Sequence, residues 1–375
     1  MRIALFAETF LPATDGIVTR LRYTIKELRG MGDELLIIAP AYGEGPGFYE
    51  GFPIYRVSSV PFPPYPQIKL APALPGVGHA LRGFKPDLIH AVNPFILGWG
   101  APHYARRLRV PLVASYHTNI AEYTHFYKLG FLNRMTRWHT KRLHNRAEIN
   151  LCTSSATREY LLKEGIERVR LWPQGVDTER FSPDKASKWW RVRLSDGHPS
   201  GKLLIYVGRL APEKGIGRLK TVFGRIPNVR LAIVGDGPAR RDLEGEFAGT
   251  ATVFAGLLLG EELAAAYASA DAFLFPSTTE TLGMAMIEAL ASGLPVIAAD
   301  SGASREVVSD GESGLLYDPK SNGDLASTAA KVLAEEGLRA RLALGAREAA
   351  LTRDWASSAQ TLRSYYEEAL GRAQR

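Results

Sequence analysis

The chain has 375 residues, 46% of them hydrophobic and 23% charged, a composition typical of a soluble globular protein long enough for two domains. Apolar runs stay short of the roughly 18 residues that a membrane helix needs, and the chain enters a strand at its start, so we expect neither a membrane span nor a secretory leader. The only cysteine, Cys152, excludes an internal disulfide and a cysteine-based metal cluster and fits a reducing cytosol.

The first half of the chain alternates strands and helices. Buried strands are predicted at residues 2–7 and 34–39, and the helix between them has an apolar face formed by Ile17, Leu21, Ile25 and Leu28. Further strands are predicted at residues 87–90, 112–115 and 149–151. Residues 53–75 are rich in proline and aromatic residues, show no regular period, and are predicted to be a long loop.

The second half alternates in the same way, with strands predicted at residues 203–207, 229–234, 252–255, 272–275 and 296–299. Residues 321–375 are predicted to be helical. Alternation in both halves predicts an α/β protein with two doubly wound parallel sheets. We place the domains at residues 1–183 and 184–355, with a hinge near 171–183 and a C-terminal helix, 356–375, that packs back on the first domain.

The formal net charge of +7 is unevenly spread. Residues 1–183 carry 23 Lys and Arg against 15 Asp and Glu, and the remainder is nearly balanced. The basic half has either an anionic surface as its partner or an excess of solubilising charge.

Two glutamates accompany a helix start between the strands at 272–275 and 296–299. Glu280 lies in the polar loop before the helix, and Glu288 lies about two turns inside it. Helix starts carry unpaired N–H groups with partial positive charge, and Gly283 lets a ligand approach closely. Carboxylates beside such donors suit sugar hydroxyls, although each glutamate alone could equally be a solvated surface residue.

Two cations follow the first strand of the second half. Arg209 and Lys214 lie in a glycine-flanked loop, residues 208–215, where a forked guanidinium and an ammonium can converge on a diphosphate. Such pairs are usually surface charge. Their position at a strand's carboxyl end, beside the loop of Glu280, favours a phosphate site.

Two candidates lie in the first half. Asp15 and Gly16 precede a helix whose start could bind phosphate, unless Asp15 is simply the helix cap. His117 follows the buried strand at 112–115 and stands ahead of a loop, so we retain it as a functional candidate although lone histidines are usually structural.

A basic amphipathic helix is predicted around residues 131–146. Its apolar stripe (Phe131, Leu132, Met135 and Trp138) adjoins a basic one (Arg134, Arg137 and Lys141). This pattern favours contact with anionic lipid headgroups. The alternative is an ordinary domain helix with a solvated basic face.

The pair Glu280-x7-Glu288, framed by Thr281-Leu282-Gly283 and by residues 291–296, resembles the donor motif of the family 4 retaining glycosyltransferases. The resemblance covers nearly the whole chain and includes residues 8–12, 86–90, 116–118 and 175–181. It implies the GT-B architecture, two Rossmann-like domains facing a central cleft. Residues 92–94, 112–118, 150–154 and 170–172 are similar to the sulfolipid synthases, which move sulfoquinovose from UDP to diacylglycerol, whereas residues 119–122 depart from them.

The resemblance implies a donor site in the second domain. Glu280 and the backbone amides of Leu282, Gly283 and Met284 would bind the transferred sugar, and Glu288 would bind the nucleotide ribose.

The resemblance also implies how the diphosphate is held. Arg209 and Lys214 would bind it, the Gly16 amide would meet it, and His117 would face the sugar near the reacting carbon. Retention is then explained by front-face attack, with the leaving diphosphate taking the acceptor's proton. No Asp-x-Asp metal motif is apparent, so we expect no cofactor and no metal requirement.

The implied activity is hexosyl transfer from a nucleotide sugar, expected to be a UDP-sugar, to a membrane lipid such as diacylglycerol. The expected location is cytoplasmic, peripheral at the inner face of the cell membrane, on an anionic surface and without a nucleic-acid partner. Two alternatives stay open: a GDP-mannose-dependent α-mannosyltransferase acting on a lipid or soluble acceptor, and a GT-B sugar-nucleotide epimerase or a non-catalytic sugar-nucleotide-binding protein.

Overall fold

The computed structural model describes residues 1–43, 45–62, 65–72, 75–117, 133–281, 283–321 and 323–373. The chain divides into two compact units. Unit 1 comprises Met1–Gly175 with Trp355–Arg375, and unit 2 comprises Val176–Asp354.

Unit 1 contains an eight-stranded sheet and a separate two-stranded pair. Its strands are β1 (Arg2–Ala7), β2 (Glu34–Pro40), β3 (Phe48–Tyr49), β4 (Phe52–Val57), β5 (Val60–Phe62), β6 (Tyr65–Leu70), β7 (Leu88–Val92), β8 (Leu112–Tyr116), β9 (Ile149–Cys152) and β10 (Val169–Leu171). The order in the large sheet is β10-β9-β8-β7-β1-β2-β4-β3. All its neighbours are parallel except β3 and β4, and β5 pairs with β6 antiparallel.

Helices cover both faces of this sheet. They are α1 (Gly16–Gly30), α2 (Pro75–Phe84), α3 (Ala101–Leu108), α4 (Asn133–His144) and α5 (Ser155–Lys163). Successive residues of β1 point to opposite faces. Ile3 and Leu5 therefore pack in one core with Leu21 of α1, whereas Phe6 packs in the other with Leu81 of α2.

Unit 2 contains a six-stranded sheet in the order β13-β12-β11-β14-β15-β16, and all its neighbours are parallel. The strands are β11 (Lys202–Val207), β12 (Val229–Val234), β13 (Thr252–Gly256), β14 (Ala272–Phe275), β15 (Val296–Ala299) and β16 (Gly314–Tyr317).

The helices of unit 2 are α6 (Lys188–Leu194), α7 (Arg240–Glu246), α8 (Gly260–Ala268), α9 (Met284–Ala291), α10 (Gly302–Val307), α11 (Asp324–Ala334) and α12 (Glu336–Leu351). They also lie on two faces, since Ile205 packs in one core with Ile287 of α9 and Leu204 in the other with Val332 of α11. The predicted α/β class with two doubly wound parallel sheets is confirmed.

The last helix, α13 (Trp355–Ala373), belongs to unit 1. Leu362, Tyr366 and Ala369 lie in the same core cluster as the buried face of α1. The side chain of Arg363 pairs with buried Asp33 at 3.1 Å. Helix α13 is therefore part of the core that α1 and the strands of unit 1 form.

Two sequence expectations differ from the structure. The described residues of the range 53–75 do not form a long loop, because Ile54 and Val57 are buried in β4, which pairs with β2, and β5 and β6 follow. The unit boundary falls at Val176 instead of after residue 183, because Val176 and Phe181 pack in the core of unit 2. Within the described ranges, no helix combines the length and the apolarity that crossing a bilayer requires.

Candidate active site

The strand order of unit 2 reverses beside β11. The chain moves outward from β11 through β12 to β13 and then returns to the other side of β11 as β14. Open parallel sheets bind ligands outside the carboxyl ends of their strands at such a point. The loops that leave the sheet there include residues 208–215 and 276–281, which carry the predicted cations and the first predicted glutamate.

An ion pair joins these two loops. Lys214, at the end of the 3-10 turn Pro212–Lys214, donates to Glu280 Oε1. Both side chains are mostly buried, with 12% and 19% of their surface exposed. Burial acts most strongly and lowers the pKa of Lys214, but the charge and hydrogen bond of Glu280 together with the effect of Tyr206 outweigh it, so the pKa is raised. The structure therefore brings a charged phosphate-binding candidate and a sugar-binding candidate together.

A second ion pair lies within the first loop. Arg209 donates to Glu213, whose carboxylate is fully buried, whereas 37% of the Arg209 side chain is exposed. The Tyr206 hydroxyl donates to the Arg209 carbonyl at 3.3 Å, and the Thr279 hydroxyl donates to the Glu213 carbonyl at 3.4 Å. Glu213 was not among the candidates predicted from the sequence. It accepts a hydrogen bond from one edge of the guanidinium and so fixes the orientation of Arg209.

The turn Gly235-Asp236-Gly237 packs on the Arg209 loop. The Leu210 N–H donates to the Asp236 carbonyl at 2.9 Å. A Cβ at Gly235 would lie 2.0 Å from the Gly208 carbonyl oxygen, so a side chain there cannot be accommodated. Three loops at the carboxyl edge of the sheet are thus fixed against one another.

Helix α9 begins directly after Gly283, whose φ of +83° is in the left-handed region that favours glycine. A Cβ there would lie 2.7 Å from Met286 Cε and 3.1 Å from Phe275 Cζ. Met284 is the first helical residue, and Leu282 lies outside the described residues.

Glu288 is in a different environment from Glu280. Its Oε2 accepts a hydrogen bond from the Tyr267 hydroxyl at 3.2 Å. Burial raises the pKa of Glu288 to about 7, although the bond from Tyr267 and the charge of Arg180 act in the opposite direction. Glu288 therefore titrates near neutral pH. Tyr267, which the sequence also did not single out, is its described hydrogen-bond donor.

The carboxyl edge of unit 1 carries the other two candidates. Asp15 caps α1, since its Oδ1 accepts from the Val18 N–H at 2.8 Å, and Gly16 is the exposed first residue of that helix. Nearby in sequence, the partly buried Glu8 carboxylate accepts from the N–H groups of Phe95 at 2.7 Å and Gly98 at 2.8 Å. These bonds tie the loop after β1 to the loop after β7.

His117 follows β8 and is 8% exposed. Its Nε2 hydrogen-bonds with Ser115 Oγ at 2.9 Å, and its backbone N–H donates to Asn93 Oδ1 at 3.2 Å. The ring meets Trp172 edge to face, with 5.7 Å between centroids. Burial, and then the charge of Arg20, lower the pKa of His117 well below 6.5, so the imidazole is neutral at pH 7.

The basic helix α4 presents apolar side chains to solvent. Met135 and Trp138 are 58% and 57% exposed. Arg137 is paired with Glu164 at 2.6 Å, which neutralises one cation of the predicted stripe. The predicted residues 131–132 lie outside the described part of the chain.

Two family models match the chain, one on each unit. The model described as Glycosyltransferase Family 4 matches residues 14–180, and the one described as Glycosyl transferases group 1 matches residues 195–349. The protein is therefore a glycosyltransferase, and specifically a hexosyltransferase.

Relatives that align over most of this chain support a narrower assignment. The sulfoquinovosyl transferase SQD2 of Arabidopsis thaliana is 37% identical over 97% of this chain and 72% of its own. A GDP-mannose-dependent alpha-mannosyltransferase of Mycobacterium tuberculosis is 39% identical over 99% and 98%. An alpha-monoglucosyldiacylglycerol synthase of Streptococcus pneumoniae is 30% identical over 84% and 75%. The chain belongs to the family 4 glycosyltransferases, as its motifs predicted.

The fold has close structural neighbours. The sucrose-phosphate synthase of Thermosynechococcus elongatus superposes with a TM-score of 0.81 over 98% of both chains, at 23% identity. This likeness shows the shared GT-B fold.

Proposed function

We propose that this enzyme transfers a sugar from a nucleotide sugar to a lipid acceptor with retention of anomeric configuration. The contact between Lys214 and Glu280 carries the proposal. In a sugar nucleotide only one oxygen separates the sugar from the first phosphate, so a phosphate-binding cation must adjoin a hydroxyl-binding acid.

The donor is held by groups that unit 2 places at one edge of its sheet. Arg209 and Lys214 bind the diphosphate, and Glu280 with the amides at the start of α9 binds the sugar hydroxyls. The Glu288 carboxylate accepts hydrogen bonds from the ribose hydroxyls. A bound diphosphate competes with Glu280 for Lys214, which frees the carboxylate for the sugar.

The chemical step follows from these roles. The bond between the anomeric carbon and the diphosphate oxygen breaks, and the acceptor oxygen bonds to the same face of the sugar. The departing oxygen takes the acceptor's proton. Arg209 and Lys214 stabilise the charge that develops on the diphosphate, and such electrostatic stabilisation usually lowers the barrier more than any other single effect.

The acceptor is a lipid such as diacylglycerol. Relatedness to a glucosyldiacylglycerol synthase supports this choice, and so do the exposed Met135 and Trp138 on basic α4. Unit 1 also has a cavity of 680 Å³ lined by Arg82, Arg107 and Arg146. These features suit binding to the anionic inner face of a cell membrane, and unit 1 supplies the acceptor side.

A GDP-mannose-dependent mannosyltransferase is the second candidate. The Mycobacterium tuberculosis relative supports it, because its identity of 39% extends over 98% of that protein. Membership of a transferase family favours transfer over the epimerase and binding-protein alternatives.

One experiment separates these functions. Purified enzyme is incubated with UDP-glucose, UDP-sulfoquinovose or GDP-mannose, each with diacylglycerol vesicles or a soluble sugar acceptor, and products are identified by mass spectrometry. A hexosyl-diacylglycerol with the donor's anomeric configuration is expected. Product from GDP-mannose alone selects the second candidate, and interconverted sugar nucleotides without acceptor would refute transfer.

Metal independence is part of the proposal. Arg209 and Lys214 take the role that a divalent cation has elsewhere. Turnover should therefore be nearly unchanged in EDTA, and a strict divalent-ion requirement would contradict the assignment.

A further inference from the structure

A buried hydrogen-bonded chain runs from the C-terminal helix to His117, entirely within unit 1. Tyr366 of α13 contacts His90 Nδ1 through its hydroxyl at 2.7 Å. His90 Nε2 lies 2.9 Å from Ser115 Oγ, which lies 2.9 Å from His117 Nε2. Tyr366, His90 and Ser115 are fully buried.

The direction of this chain is set at Tyr366. Within the described residues, His90 Nδ1 is the acceptor that its hydroxyl reaches. If Nδ1 carried the proton, the Tyr366 hydroxyl would have to accept, and its own hydrogen would be buried without a partner, at a cost of about 1–3 kcal/mol. Tyr366 therefore donates to His90.

The remaining protons follow in order. Burial lowers the pKa of His90 to about 3, so its ring is neutral and carries its proton on Nε2. That N–H donates to Ser115 Oγ. The Ser115 hydroxyl in turn donates to His117 Nε2, which accepts. The ring of neutral His117 therefore carries its proton on Nδ1.

A buried cation reinforces this neutral state. Arg20 is 2% exposed and donates to Gln174 Oε1 and the Trp172 carbonyl, both at 2.7 Å, while its guanidinium stacks on the Trp172 ring at 3.6 Å. Its charge disfavours a proton on either imidazole, adding to the effect of burial on the pKa of His90 and His117. The tautomer of His117, and not its charge, is then the property that the chain controls.

We propose that Tyr366, acting through His90 and Ser115, holds His117 as the tautomer protonated on Nδ1, so that Nε2 is kept as the acceptor of the ring and Nδ1 as its donor. Tyr366, His90 and Ser115 are positioning residues. The tautomer stands on the geometry of unit 1 alone, and its use on a substrate rests on the proposed function.

The tautomer is measured directly by nitrogen NMR of histidine-labelled protein, with His117 assigned by the signals lost in H117Q. We expect an unprotonated Nε2 and a protonated Nδ1. In Y366F the chain loses its fixed direction, and in S115A the Nε2 atom of His117 loses its bond to Ser115 Oγ, so His117 should become a mixture of tautomers in both. A protonated Nε2 in the wild type, or an unchanged spectrum in both variants, would overturn the proposal.

Y365F is the matched control. Tyr365 neighbours Tyr366 on α13, but its hydroxyl donates to the Leu171 carbonyl at 2.9 Å, outside the chain to His117. It should leave the His117 signals as in the wild type. A Y365F spectrum that changes as much as that of Y366F would mean that loss of any hydroxyl on α13 disturbs His117.

Activity provides an independent readout. Y366F should lower kcat by about tenfold, the effect of one hydrogen bond on a barrier, with little change in the KM for donor, and Y365F should not. The tautomer could be fixed in the wild type and mixed in Y366F while kcat stays the same. That result would support the hydrogen-bonded chain but reject its use on the substrate. Absence of transferase activity from every donor and acceptor would reject the proposed function, while the NMR result would still stand.

Discussion

Lys214 is the residue on which the proposed donor site depends most. An ammonium held in a largely buried loop costs little to reorganise when charge develops on a leaving diphosphate. Replacing Lys214 or Arg209 by alanine should therefore raise the barrier by about 2–4 kcal/mol. Single-turnover kinetics with saturating donor measure the effect.

Arg225→Ala is the control for these variants. Arg225 is an exposed cation of the same unit, so its loss changes net charge equally and should leave kcat unchanged. Wild-type turnover in both Lys214→Ala and Arg209→Ala would show that neither cation binds the diphosphate.

Glu288 predicts a pH dependence of stability. Its folded pKa is about 7 against an ordinary 4.5, so between these values the folded state holds a proton that the unfolded state has released. Stability therefore falls as pH rises from 4.5 through 7. Glu288→Gln has no carboxyl group to titrate at this position and should not lose stability in this way. The difference in free energy of unfolding between Glu288→Gln and wild type should therefore shift in favour of the variant by up to about 3 kcal/mol from pH 4 to pH 8.

Urea unfolding at both pH values measures that difference. Glu262→Gln alters an exposed glutamate of α8 and should follow the wild-type profile. If the difference in free energy of unfolding between Glu288→Gln and wild type were the same at both pH values, the Glu288 carboxyl would not titrate on its own near neutral pH.

At this scale the sequence indicated the residues but not their partners. The alternation of strands predicted that Lys214 and Glu280 would share a sheet edge. It could not show that Glu213 is buried against Arg209 or that Tyr267 donates to Glu288. Burial of an acidic residue depends on the side chains that pack around it in the fold, and a single sequence does not show which side chains these are.

The start of helix α9 depends on a glycine, Gly283, and this dependence can be tested by substitution. Gly283 combines a left-handed φ with close neighbours, whereas Gly249 has a φ of +75° and no atom within 4 Å of the place where a Cβ would stand. Gly249→Ala should thus cost only the conformational strain of about 1–2 kcal/mol. Gly283→Ala should cost an additional ~1–3 kcal/mol from overpacking against Met286 and Phe275.

Thermal or urea unfolding of both variants gives this comparison. Gly283→Ala should also weaken nucleotide-sugar binding in titration calorimetry, because the displaced helix start no longer presents its amides. Equal stability losses in the two variants would show that the space beside Gly283 is not restrictive.

Elements with a clear period were predicted well, and those without one were not. The helix at α1 and the strand at β1 follow from regular apolar spacing. The segment of β4 is predicted as loop because residues 53–75 are rich in proline and aromatic residues and show no regular period. Proline is nevertheless tolerated there, since Pro53 is exposed and faces only the short β3. Pairing with β2 decides the structure of this segment, and that pairing is remote in sequence.

For the whole molecule, the uneven charge is the feature with the widest consequence. The chain carries a net +7, and Arg82, Arg107 and Arg146 line one cavity of unit 1. In the described residues none of these three arginines has an ion-pair partner. These unbalanced cations, in the same unit as the exposed Met135 and Trp138, favour an anionic membrane surface over a neutral one.

Vesicle flotation tests this distribution of charge. Wild-type protein should bind phosphatidylglycerol vesicles more than phosphatidylcholine vesicles, and 1 M salt should weaken binding because the Debye length falls from about 8 to about 3 Å. Replacing Arg82, Arg107 and Arg146 by alanine should cost up to about 1 kcal/mol per charge.

The control triple replaces Arg225, Arg241 and Arg341, exposed arginines of unit 2, and removes the same net charge. It should retain most of the binding, because the proposed membrane contacts, the cavity arginines and α4, all belong to unit 1. Equal losses in the two triples would mean that net charge alone drives association, and binding unaffected by salt would leave only the apolar contacts of α4.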